Sequence, residues 1–155
     1  MTWLDFLTIA LCVLIMVIEV KRGATCAIID TIGIWIALKI ATFSYEGMSS
    51  AQFSRSAAYL TIFLVLVAVT VTISTLVQRQ LNSELGPLDS TIACALGLLV
   101  GLFFSHIAFG FSQLHFGENY QAYAASAFRG QVYELHALKG FLNFMHRIGT
   151  TDVAR

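Results

Sequence analysis

Four stretches of the chain are apolar for long enough to cross a bilayer, and the polar residues gather between them. They are residues 3–20 (WLDFLTIALCVLIMVIEV), 24–43 (ATCAIIDTIGIWIALKIATF), 58–77 (AYLTIFLVLVAVTVTISTLV) and 90–111. A hydrocarbon core about 30 Å thick takes roughly 20 helical residues, so each stretch predicts one span. Backbone polar groups must be satisfied internally in lipid, which makes the spans α-helices despite their β-branched content. The expected fold is therefore an all-α membrane protein, a bundle of four transmembrane helices within residues 1–111. Residues 112–155 form a polar tail. Within it Leu135, Leu138, Leu142, Met145 and Ile148 recur at helical spacing, predicting an amphipathic helix over about 131–148 with Gly140 as a weak point. Such a helix would lie on the membrane surface or cap the bundle.

The polar positions inside the spans carry a second pattern. Helices in lipid have no hydrophobic drive toward one another and associate through small residues and buried polar groups. The first span shows Asp5, Thr8, Cys12, Met16 and Glu19 along one side. The second shows Gly23, Cys26, Asp30, Gly33 and Ala37, and the third Thr61, Ala68, Thr72 and Thr75. In the fourth, Asp89, Ala93, Gly97, Gly101 and Ser105 step by four, with GLLVG at the centre. A four-residue step drifts about 40° on a 3.6-residue helix, so this groove winds and suits a crossed helix pair. The four stripes are expected to face the inside of one bundle, and the glycines to serve helix packing there or in a homo-oligomer.

Composition narrows the class. Of 155 residues, 57% are hydrophobic and 12% charged, about half the charge of a typical soluble domain. The formal net charge is zero, so no basic field points to nucleic acid. The lipid bilayer is the expected partner, with other envelope proteins or a second copy beside it. Cys12, Cys26 and Cys94 sit in apolar runs without paired spacing, as packing residues rather than disulfide or zinc ligands. No Ser-His-Asp order, phosphate-binding glycine loop or metal motif is present, so no enzyme, cofactor or metal is expected. His115, His136 and His146 are scattered over the tail without ligand spacing.

Asp30 is the most pointed of the intramembrane polar residues. It lies seven residues past Gly23, roughly 10 Å into its span. A carboxylate there costs about 2.5–3.5 kcal/mol on insertion scales. Lys39, nine residues on, falls on the opposite helix face and cannot pair with it. Asp30 either hydrogen-bonds a Thr or Ser of the third span or handles a proton or ion. Asp5, Lys39 and His106 should reach the same end of the bundle. They form a cluster, or Lys39 snorkels while His106 makes one interhelical hydrogen bond. Asp89 reads as the cap of the fourth helix, accepting N–H bonds at its positive dipole end.

The first turn, Lys21-Arg22-Gly23, is short enough to predict a tight antiparallel hairpin of spans one and two. With Lys21, Arg22 and Arg79 on one side against Arg55 and Arg129 on the other, the positive-inside rule puts that turn in the cytoplasm and both termini outside. The first span lacks a positive n-region, since Asp5 precedes any Lys or Arg, and it reads as retained rather than cleaved.

Asp5, the Glu19-Val20-Lys21-Arg22-Gly23 turn and PLDSTIACALGLLVG give the chain a resemblance to the colicin V production protein family, small four-span proteins of the bacterial inner membrane. The family's first helix starts near an aspartate and ends in a Gly-x-Arg-Arg-Gly-like turn, with Glu19 here in place of the first glycine. Gly33 falls at the family's next glycine, Leu88-Asp89 at its Leu-Asp-Arg, and Gly97 and Gly101 at its fourth-span glycines, with Ala93 replacing another. Ser90 and Val100 stand where arginine is common. Tyr123 and Ser126 match an aromatic-x-x-Ser segment of the tail. The resemblance implies an inner-membrane protein linked to production or export of a peptide toxin and to envelope maintenance. A non-enzymatic scaffold or accessory factor is the first expectation; a small transporter or channel component using Asp30 is the alternative.

Overall fold

The computed structural model describes residues 2–48, 54–81, 88–117 and 121–133. Four long helices dominate: α1 (Trp3–Arg22), α2 (Ala24–Met48), α3 (Arg55–Leu81) and α4 (Asp89–Phe116). A four-residue helix α5 (Gln121–Ala124) and a π-helical turn (Arg129–Tyr133) follow. All four long helices are long and apolar enough to cross a membrane. The chain is built as a multi-pass integral membrane protein. Leu14, Trp35, Phe43, Val65, Val69 and Ile73 are among the large apolar side chains left exposed on the outside of the bundle. In water such a surface would be prohibitive; against lipid tails it is the expected exterior.

The helices outrun the apolar stretches that predict them. α2 continues through Ser44, Tyr45 and Glu46, and α4 through Ser112 to Phe116, because polar residues at the interface support helix as well as apolar ones do. Gly117 stops α4: its φ is +86°, and its N–H returns to the Gln113 carbonyl at 2.9 Å. His115 consequently belongs to α4 rather than to a tail. The amphipathic helix expected over 131–148 lies outside the described residues except at 131–133, which fall in the π-helical turn.

The pairing of helices differs from a simple hairpin. Although only Gly23 separates α1 from α2, those two share little contact; α1 lies chiefly along α4, and α2 along α3 with further contact to α4. The reason is the four-residue ladder of α4, whose Ala93, Gly97, Gly101 and Ser105 are all buried. A Cβ on Gly97 would stand 2.8 Å from the Met16 Cα, and one on Gly101 2.6 Å from the Cys12 Cα. Any side chain at either position would hold the two backbones apart. The opposite order of the partners, Met16 then Cys12, shows the helices to be antiparallel. Where no water is released, this close approach supplies the dispersion contacts that hold the pair. Gly33 plays a similar part on α2, where a methyl group would run into Thr70 of α3.

The core between the four helices contains Ile15, Ile34, Ala37, Leu38, Tyr59, Phe63, Val100 and Ile107. Phe63 and Phe104 meet edge to face with centroids 5.2 Å apart, a favoured aromatic geometry. In α1 the inner face holds Asp5, Thr8, Cys12, Ile15 and Glu19, close to the expected stripe. In α3 the expected stripe holds only at Thr75, which is half-buried and accepts from Arg22. Thr61, Ala68 and Thr72 are exposed, and the buried face runs through Ser56, Tyr59, Phe63 and Ser74. Thr72 needs no interhelical partner, because its hydroxyl donates to the Ala68 carbonyl at 2.7 Å one turn back.

Candidate functional site

The polar residues buried in the bundle collect at its two ends. At the end where α1 and α3 finish and α2 and α4 begin, Arg22 is the centre. It is the last residue of α1, so its side chain can reach back along the bundle past the Gly23 break. Its Nη1 donates to Oε1 of Glu19 at 3.3 Å and to Oδ2 of Asp30. Its Nη2 donates to Oγ of Ser74 at 2.6 Å and to Oγ1 of Thr75 at 3.3 Å. One guanidinium thereby ties α1, α2 and α3 together. The planar fork of donors suits this task, since an ammonium offers no such spread of fixed directions.

Around that centre the backbone is also held by side chains. Gln78 Nε2 donates to the Arg22 carbonyl at 2.5 Å, and Gln78 Oε1 accepts from Cys26 Sγ at 3.1 Å. The last carbonyls of a helix lack intrahelical donors, and Gln78 supplies the Arg22 carbonyl with a partner that lipid could not. Gly23 has φ +86° and ψ 165°, a region open essentially to glycine alone. A Cβ there would also stand 2.9 Å from Oδ2 of Asp89.

Asp89 holds a different helix from the one expected. Its Oδ1 accepts the N–H of Ala24 at 3.0 Å, so it caps α2, although it is itself the first residue of α4. The residue preceding α4 is Leu88, which makes no side-chain cap bond. The physical demand is the one the sequence suggests, an uncapped helix start with a positive dipole end, but the aspartate meets it across the bundle.

Asp30 is fully buried, and its partner is an arginine of α1 rather than a hydroxyl of the third span accepting or donating directly. Ser74 and Thr75 of α3 are present but reach the site through Arg22. Glu19 is also buried, with 3% of its surface exposed. Each acid keeps one oxygen without a hydrogen-bond partner, Oε2 of Glu19 and Oδ1 of Asp30. In the sequence Lys21, Arg22 and Gly23 read as a turn and a topology signal, and Glu19 as part of a stripe and of that turn. The signal that could have found the site was the Glu19-x-x-Arg22 spacing, which puts acid and base on one helix face, next to an unpaired acid just across a one-residue break.

The opposite end is organised by Asp5. Its Oδ2 accepts the Thr2 N–H at 2.6 Å, and its Oδ1 accepts from Ser126 Oγ at 2.5 Å and from the Phe128 N–H at 3.4 Å. His106 Nδ1 lies 2.9 Å from the Val132 carbonyl. Asp5 and His106 therefore both grip the segment 126–132, whose Val132 packs on Leu4 and Phe109. The expected single interhelical bond of His106 goes instead to the backbone of this returning segment, and Lys39 is exposed on α2. His115 approaches Ser56 Oγ at 3.3 Å and stacks on Phe111.

Two open apolar grooves, about 250 and 330 Å³, lie on the outer α2–α3 face, one beside Gly33 and Thr70 and one beside Ile40 and Val65. Both face the lipid side. Among the described residues no three His, Cys, Asp or Glu side chains form a group able to hold a metal ion. No family model, curated protein or solved structure matches the chain.

Proposed function

We propose that this protein is a non-enzymatic scaffold or accessory factor of the bacterial inner membrane, of the colicin V production type, acting in peptide-toxin production or export and envelope maintenance. The observation that carries the scaffold reading is how the buried polar groups are used. Arg22 joins three helices, Asp89 of α4 caps α2, and Asp5 fastens the chain beyond α4 to the start of α1. These groups are committed to helix assembly rather than turned toward a chamber. In this reading the 21–23 turn faces the cytoplasm and the surface carries contacts to envelope proteins or to a second copy. The toxin-linked role rests on the resemblance of the turn, the Leu88-Asp89 pair and the fourth-span glycines alone. A deletion strain scored in parallel for toxin export and envelope sensitivity, with point variants reintroduced, tests it. Loss of both with rescue by Asp30→Asn is the expected result; wild-type behaviour in both assays refutes the role.

A second reading, a small transporter or channel component, is favoured by the unpartnered oxygens of Glu19 and Asp30. Proton or ion flux in proteoliposomes at two pH values, compared with Asp30→Asn, tests it. Equal flux in the two proteins rejects it.

A further inference from the structure

The charges at the Arg22 junction do not balance. Two carboxyl groups, Glu19 at 3% and Asp30 at 0% exposure, converge on the same guanidinium nitrogen. With both ionised the group carries a net charge of minus one inside an apolar bundle. An unpaired buried charge is among the most expensive things a protein can hold, and in practice such a group takes up a proton instead. Among the described residues the neighbours give no second positive charge. On α2 the nearest titratable group is Cys26. On α3 the junction meets Ser74, Thr75 and Gln78. On α4 it meets Asp89, already engaged by the Ala24 N–H. Lys21 and Arg79 are exposed.

The hydrogen bonding repeats the imbalance. Ionised carboxylates accept only, and a buried one is normally surrounded by donors. Asp5 illustrates this, with donors on both oxygens from Thr2, Ser126 and Phe128. Glu19 Oε2 and Asp30 Oδ1 have none. Two carboxyl groups sharing one guanidinium nitrogen cannot readily both ionise, and a proton on either supplies a donor that the site lacks.

We propose that Glu19 and Asp30 form a proton-binding site, with one proton held between them so that the Glu19–Arg22–Asp30 triad is neutral. Uptake is a simple transfer, in which a carboxylate and a hydronium ion become a carboxylic acid and water. Arg22, whose side chain is 20% exposed, marks the side open to the membrane surface. Release of the proton leaves two anions competing for one cation and weakens the junction of α1, α2 and α3.

The test is infrared spectroscopy of the full chain in lipid nanodiscs across a pH titration. The expected result is one protonated carboxyl per chain at neutral pH, lost on alkaline titration. It shifts when aspartate and glutamate side chains carry carbon-13, which separates it from lipid ester carbonyls. It disappears in Glu19→Gln and in Asp30→Asn and persists in Asp89→Asn. Absence of the band from the wild type at neutral pH overturns the proposal, whether or not the variants fold. So does its persistence in both single variants, or a thermal stabilisation by sodium at constant ionic strength that replaces the band, which would make the ligand a metal cation. The site is independent of the toxin-linked role: a silent deletion strain leaves the band in place, and a missing band leaves the scaffold reading standing.

Discussion

Asp89 and Ala24 are 65 positions apart in sequence, and the carboxylate of one closes the first turn of the helix that begins at the other. A cap supplied from across the bundle has a distinct signature. Asp89→Ala is expected to cost about 1 kcal/mol in a reversible unfolding assay in micelles. Amide exchange should accelerate at Ala24 rather than at the start of α4. Faster exchange confined to residues 90–92 would mean that Asp89 caps its own helix after all.

Gly23 combines a glycine-only backbone conformation with a close approach to the same carboxylate. Gly23→Ala should destabilise by about 1–3 kcal/mol, and Asp89→Ala should not rescue it, because the backbone strain remains. A double-variant cycle measured by unfolding checks this: full rescue would place the whole cost in the contact with Asp89.

Arg22 has two carboxyl partners, so losing one leaves it paired. Asp30→Asn and Glu19→Gln should each be mild. The double variant, which leaves a half-buried cation without a carboxyl partner, should lose about 3–5 kcal/mol. Arg22→Gln should be comparably severe. Additive small effects in the double variant would show that the guanidinium is satisfied by Ser74, Thr75 and water.

Gly97→Leu and Gly101→Leu must push α1 away from α4, since even a Cβ lands within 3 Å of the opposing backbone. Assembly should fail, read as loss of the monodisperse species on size exclusion. Gly101→Ala should retain the fold at a cost of about 1–3 kcal/mol, the usual range for overpacking. Normal elution of both leucine variants would mean the pair can separate freely.

Ser126 donates to Asp5 from the segment beyond α4. A bond to a charged acceptor is worth about 1.5–3 kcal/mol, so Ser126→Ala should loosen that segment without loosening the bundle. Limited proteolysis should cut it near residues 126–133 first, while the unfolding midpoint of the helices changes little. An unchanged cleavage pattern would leave Val132 packing as the real anchor.

The four spans were legible because lipid imposes one rule on every one of them, a long apolar helix. The inner faces of α1 and α4 were legible too, since acids and glycines have no business facing hydrocarbon. The third stripe was legible only at Thr75. A threonine can satisfy its hydroxyl on its own helix, as Thr72 does with Ala68, so it carries little information about direction. Ser74, a single small polar residue among β-branched neighbours, proved to face inward. Partners across the chain were also hidden. The pairing of Asp30 with Arg22 depends on a side chain doubling back past a helix break, and the capping of Ala24 by Asp89 depends on how the fourth span settles beside the second. Spacing along one helix encodes neither.

The preference of α1 for α4 has a consequence for how the molecule is made. α1 leaves the ribosome before the other three long helices, and the surface it fits best, α4, is the last of the four to be made. Until then the backbone beside Cys12 and Met16 is without the surface it packs on. A chain that stops short of Gly97 can insert three helices and still leave its first one unclaimed. The four-helix bundle therefore closes only once α4 has been made.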